Sequence, residues 1–163
     1  MKETNFQSHG GLTLVEVIIA TSIILIFLLA LFPINNLYLN TVSTNTNSVK
    51  ATLLAEESLE AVRFLRDASW SDNIAPLSVG IGYSLELVSG SWAATTTNIY
   101  IDNTFERVVT FLEVYRDINA DIVPSGGTLD PNTRLVTASI SWKYGLATST
   151  KSVSTYITNI LDN

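Results

Sequence analysis

After Gly11 the chain enters an apolar run that reaches Ile34 and contains a single charged residue, Glu16. That run fixes the first element. Leu12 to Ile34 supplies about the 20 residues a bilayer requires, and in lipid a lone segment satisfies all of its backbone N–H and C=O groups only as a helix. A carboxylate at the bilayer centre costs about 2.5–3.5 kcal/mol and less toward the edge, so Glu16 marks a function and needs a partner.

Two plain readings compete. A secretory signal carries its small-residue cleavage site after the apolar stretch, and no A-x-A-like pair stands between Leu28 and Asn36. An uncleaved single-pass anchor fits the length but does not account for Gly11 and Glu16 together.

The stretch Gly10-Gly11-Leu12-Thr13-Leu14-Val15-Glu16-Val17-Ile18-Ile19-Ala20 resembles the cleavage and methylation motif of type IV prepilins and of the pseudopilins of type II secretion. The resemblance implies that residues 1–11 are a leader cut after Gly11 and that Leu12 becomes a methylated N-terminus. Glu16, with Thr13 in the same assembly segment, would then register each subunit in a filament. Pro33 matches a proline that bends the long helix of many type IV pilins. The implied partners are the prepilin peptidase/methyltransferase, other pilin subunits in a homo- or hetero-filament, and the inner-membrane assembly platform. The implied location is the cytoplasmic membrane, single-pass with the head outside the cytoplasm, and then a cell-surface filament.

The motif does not separate a major pilin from a pseudopilin or a minor pilin of tip, priming, DNA-uptake or secretion type. Leu53 to Arg63 and its continuation to Trp70 are similar to V-type minor pilins and I-type pseudopilins. Outside the family, the alternative is a membrane-anchored adhesin or binding head that never polymerises and retains residues 1–11.

Charge and side-chain chemistry narrow the classes further. The net charge is −6, nearly all of it beyond the apolar run, and phosphate-based nucleic-acid binding draws on Lys and Arg, so no direct nucleic-acid partner is expected. Cysteine is absent and the only histidine is His9, inside the leader. A cut chain would therefore lack the disulfide staple of many Gram-negative pilins, the commonest general base and the thiol nucleophile. No paired-carboxylate, Ser/Lys or nucleotide-binding constellation stands out, and the expectation is a protein that is not an enzyme and holds no cofactor.

From Leu12 to about Asp67 the chain has no Gly and only Pro33. This predicts one long helix, hydrophobic over 12–34 and continuing as an amphipathic helix over 35–70, bent just before Pro33, whose ring clashes with the Leu29 carbonyl. Asn35 to Ser48 is its weakest stretch, because Asn, Ser and Thr compete for backbone hydrogen bonds. Ala51, Leu54, Ala55, Ser58, Val62 and Leu65 share one face, with Lys50, Glu56, Glu57, Glu60, Arg63 and Asp67 opposite. Glu60 with Arg63 and Arg63 with Asp67 are spaced for exposed ion pairs. Tyr38, Val42 and Val49 form a second stripe about half a turn away.

Residues 71–163 predict a β-rich extracytoplasmic head. Strand character appears at Tyr83–Leu87, Ile99–Ile101 and Phe105–Tyr115. The clearest alternation places Val136, Ala138, Ile140, Trp142 and Tyr144 on one face and Thr137, Ser139, Ser141 and Lys143 on the other. A last strand, Ser152 to Ile160, returns through a turn over Gly145–Thr150. The expected class is α+β: the long helix packed on a C-terminal antiparallel sheet of four or five strands. The remaining segment, Asp117–Thr133, reads as a long loop. Asp117, Asn119 and Asp121 begin like a calcium loop, and Asp130 could add a donor. Ile122 and Thr128 then stand where such a loop needs its glycine and its bidentate glutamate, so Asx turns are the favoured reading and no metal is assigned.

Overall fold

The computed structural model describes residues 13–163. These fall into two compact units divided between Ser43 and Thr44. Helix α1, Leu14–Ala68, contributes to both and holds Pro33 in its interior. The Asn/Ser/Thr-rich stretch 35–48 is helical throughout. In the first unit every described residue is exposed. Ile23, Leu25, Phe27, Leu29 and Phe32 are each at least 60% exposed, so the apolar surface runs around the helix.

In the second unit the helix is half-buried on the expected side. Ala51, Ala55, Ser58, Leu59, Ala61, Val62 and Leu65 are buried, and the charged residues opposite are exposed. Arg63 pairs with Glu60, as its spacing predicts. Asp67 pairs with Arg66 instead of Arg63, at 2.7 Å. A short helix α2, Trp70–Asn73, follows, with Ser69 as its N-cap.

The rest is one antiparallel sheet. Its strands are β1 (Gly82–Val88), β2 (Ser91–Thr95), β3 (Tyr100–Ile101), β4 (Phe105–Arg116), β5 (Ile122–Val123), β6 (Thr128–Tyr144) and β7 (Ala147–Thr158). Five of them run in the order β2-β1-β4-β6-β7, and the two-residue strands β3 and β5 both pair with β4. The architecture is the expected α+β arrangement: β1, β3, β4, β6 and β7 fall on the five segments of expected strand character, and β2 and β5 raise the total to seven.

Three local details differ from the sequence reading. Strand β2 was not anticipated: Ser89 and Gly90, both at positive φ, close a tight turn that returns β1 onto it. The last hairpin turns on Gly145 and Leu146 alone, with Gly145 at φ +60, so β7 starts at Ala147 and not after Thr150. A two-residue turn with a glycine at its first central position matches the twist of paired strands. Finally, β6 starts at Thr128 and takes up the end of the expected loop. Its pairing partners jump from Arg134 to Asp130 opposite Glu113 and Val114, so Pro131 falls in a bulge, where its missing N–H breaks no ladder bond.

The core lies between the helix stripe and one sheet face. Val136, Ala138 and Ile140 are fully buried and Trp142 nearly so, joined by Phe105, Val109, Phe111, Leu85 and Ile157. The Tyr144 side chain lies outside the described ones. Tyr83 meets Phe111 edge to face, with ring centroids 6.0 Å apart, and donates no buried orphan: its hydroxyl accepts the Ser78 N–H at 2.9 Å. On the outer face Thr137, Ser139 and Ser141 bond to Ser154, Ser152 and Thr150 at 2.8–2.9 Å.

One backbone position is tightly constrained. Gly127 has φ +81, and a Cβ there would collide with the carbonyl of Arg116, whereas Gly126 at φ +74 has open space around it. Gly126→Ala should cost about 1–2 kcal/mol for the left-handed backbone alone. Gly127→Ala should cost clearly more, because β4 and β6 must part to admit the methyl. Parallel chemical-denaturation curves check this, and equal losses would contradict it.

Candidate functional site

The first turn of α1 carries the chemistry that the sequence singles out. Thr13 stands immediately before the helix, and its Oγ1 accepts the Glu16 backbone N–H at 3.3 Å. Thr-x-x-Glu at a helix start is the capping-box pattern, in which an N-cap hydroxyl satisfies one of the orphan N–H groups and an acidic N3 side chain favours the positive end of the helix dipole. Thr13 and Glu16 are thus brought together by the fold. Gly11 and Leu12, the expected cleavage pair, lie outside the described residues.

Beyond that turn the helix folds hydroxyl side chains back onto its own backbone. Thr21 Oγ1 donates to the Val17 carbonyl at 2.9 Å and Ser22 Oγ to the Ile18 carbonyl at 2.7 Å. Thr41 does the same to Leu37 at 2.8 Å. Folding hydroxyls back onto the preceding turn removes free donors from the apolar surface, which matters where no solvent can satisfy them. By length and composition α1 can cross a membrane.

The acidic loop residues do not converge. Asp117 Oδ1 accepts the backbone N–H groups of Asn119 and Asp121, both at 2.9 Å, in an Asx turn. Asp130 accepts from Arg116 Nε at 2.7 Å and from the Asn132 N–H at 3.0 Å. Arg116 also donates to the Ala120 carbonyl at 2.8 Å. A guanidinium therefore bridges Asp130 and the 117–121 turn. Among the described residues no group of three metal-ligating side chains stands together. The Arg116 hydrogen bond holds the Asp130 carboxyl below the usual carboxylate range, against a smaller opposing effect of burial. A depressed folded pKa means that this contact contributes fully above the unfolded value near ~4 and is lost as acid titrates through the folded one.

One cluster was missed. Arg107 is only 6% exposed. Its Nη2 donates to the Leu85 carbonyl at 2.6 Å, Nη1 lies 3.7 Å from Glu57 of α1, and Cζ stands 5.3 Å from the centre of the Trp92 ring. Burial pushes the guanidinium pKa down, and Glu57 pulls it back up. The signal was present in strand parity, since Arg107 falls on the inward-facing phase of β4 with Phe105, Val109 and Phe111. The cluster ties the helix to three strands. Beside it, a groove of about 510 Å³ runs between α1 and the β1–β2 hairpin, lined by Phe64, Leu65, Asn73, Leu87 and Trp92.

Comparisons with protein-family models, with curated proteins and with solved structures find no match.

Proposed function

We propose that the chain is a prepilin-type structural subunit, cut after Gly11, methylated on Leu12 and drawn from the membrane into a type IV pilus-like filament through α1. The observation that carries this reading is Glu16, a carboxylate in the first turn of a helix otherwise apolar to Ile34, following Gly11-Leu12-Thr13. In the bilayer pool a carboxylate so near the helix start is hydrated at the interface at modest cost. In a filament its partner is the Leu12 ammonium of an adjacent subunit, the residues Val17 to Phe32 line the filament core, and the head faces solvent. The role is structural. Prepilin peptidase, sister subunits and an assembly platform are its partners, and a pseudopilin or minor pilin of tip, priming, DNA-uptake or secretion type is the same reading with a different place in the filament.

The Thr13–Glu16 cap supports a second reading, a single-pass anchored adhesin or binding head, because a carboxylate at the N3 position favours the positive end of its own helix without any neighbouring chain. Two substitutions separate them. Gln can serve the N3 position of a cap but carries no charge, whereas Val can do neither. Glu16→Gln and Glu16→Val should both insert in the membrane and both be cut. Both should then drop about 100-fold or more in sheared filaments, because an ammonium buried without its partner costs about 3–5 kcal/mol. Immunoblots of the membrane and filament fractions read the result. Normal assembly of Glu16→Gln would give Glu16 to the cap and refute the interchain pair.

A further inference from the structure

Among the described residues, strand β7 is an outer edge of the sheet and pairs with β6 alone. It is 12 residues long, ATSTKSVSTYIT, with no Pro, no Gly and one charge, Lys151. Its pairing with β6 runs from Ala147 to Thr158 with no register shift. The opposite edge, β2, has only 5 residues. A long, regular, nearly uncharged edge presents a row of outward N–H and C=O groups that template another strand, and natural sheets usually blunt such edges with bulges, prolines or several charges. This edge has a single lysine.

The side chains say what the other strand should be. Successive residues of a strand alternate between faces, so Thr148, Thr150, Ser152, Ser154, Tyr156 and Thr158 share the outer face, and every one bears a hydroxyl. Four of them already bond to hydroxyls of β6, at 2.8–3.3 Å. The ladder of hydroxyl pairs therefore stops at β7 only because the sheet does.

We infer that β7 pairs antiparallel with β7 of a second copy of this chain, across a two-fold axis at Ser152 or Val153. With the axis at Val153, Ser152 faces the second copy's Ser154, Thr150 faces its Tyr156, and Lys151 faces its Thr155. With the axis at Ser152, Thr150 faces the second copy's Ser154 and Lys151 faces its Val153. Both registers set hydroxyl against hydroxyl along the outer face. An axis at Lys151 would set lysine against lysine, and like charges directly opposite are unfavourable. One charge thus excludes the neighbouring register while leaving the self-complementary ones open, and an isologous two-fold contact is the commonest way for a chain to meet itself. The inference is independent of cleavage or filament assembly.

Because the chain contains no cysteine, one introduced thiol can form a disulfide only between copies. The full chain in detergent micelles is oxidised with diamide as three variants: Ser152→Cys, Val153→Cys and, at the centre of β2, Ala93→Cys. Non-reducing gels should show a covalent dimer as the main species for whichever of Ser152→Cys or Val153→Cys lies on the axis, reverting to monomer with dithiothreitol. Ala93→Cys should remain several-fold less cross-linked. Equal cross-linking at both edges would assign the dimer to the apolar helices and overturn the inference. So would monomer at both β7 positions, or an adduct of a mass other than twice the chain.

Discussion

Trp142→Ala should lower the stability of the head by about 3–5 kcal/mol, the usual cost of emptying a large buried aromatic site. Trp142 is 5% exposed, sits among the fully buried Val136, Ala138 and Ile140, and meets Phe105 with ring centroids 6.1 Å apart. A loss of that size is a large share of the ~5–15 kcal/mol that holds a typical domain together. For a unit of this size it corresponds to a fall in melting temperature on the order of 10–20 °C. Ser141→Ala, one residue away, removes a hydroxyl that bonds to Thr150 on the exposed face and should be close to silent. Trp142→Phe should fall between them and nearer to Ser141→Ala, since the Trp142 indole N–H has no protein hydrogen-bond partner to lose. Thermal melting followed by near-UV circular dichroism separates the three. Equal losses for Trp142→Ala and Ser141→Ala would place the strand one residue out of register, because such a slip exchanges the two faces.

The second large effect belongs to the proposed cleavage site. Gly11→Val should leave almost all of the chain uncut in the membrane, whereas Gly10→Ala should be processed normally. The reason is steric. A peptidase that accepts backbone closely at the bond it cuts leaves no room for a branched side chain on the residue just before it, and Gly is the one residue with no Cβ at all. Unassembled precursor follows directly, because without the cut no Leu12 ammonium exists to meet Glu16. Mobility on a high-resolution gel distinguishes the two forms, and equal processing of the two variants would move the cut away from Gly11.

The head was legible where periodicity was strong. The alternation over Val136–Trp142 predicted both faces of β6 correctly, and the 3-4 spacing from Ala51 to Leu65 predicted the buried side of α1, because burial on one side imposes a period that survives in the sequence. Turns and short pairings were harder. Strand β2, SWAAT, is too short and too poor in β-branched residues to announce itself, and the two-residue β5 is paired only because β4 lies beside it, whereas β3 falls inside the expected Ile99–Ile101 segment. The Asp67 pairing went to Arg66 since adjacent side chains at a helix end are free to splay, which spacing rules do not capture. Arg107 lay on the inward phase of β4 in plain view, but a lone cation in a strand pattern reads as surface until the carbonyl of Leu85, the ring of Trp92 and Glu57 are brought around it. At the N-terminal site the resemblance offered Thr13 and Glu16 as assembly residues, and the fold adds a hydrogen bond from the Glu16 N–H to Thr13, which their Thr-x-x-Glu spacing could have announced.

The proposed function requires that this chain be cut and modified at Leu12 before it acts. Intact-mass measurement of the protein recovered from membranes and from sheared filaments, in cells that possess the peptidase, tests it most directly. The expected mass lacks Met1 to Gly11 and carries one added methyl on Leu12. Recovery of the chain with Met1 to Gly11 still attached would contradict it and leave the anchored binding head in its place.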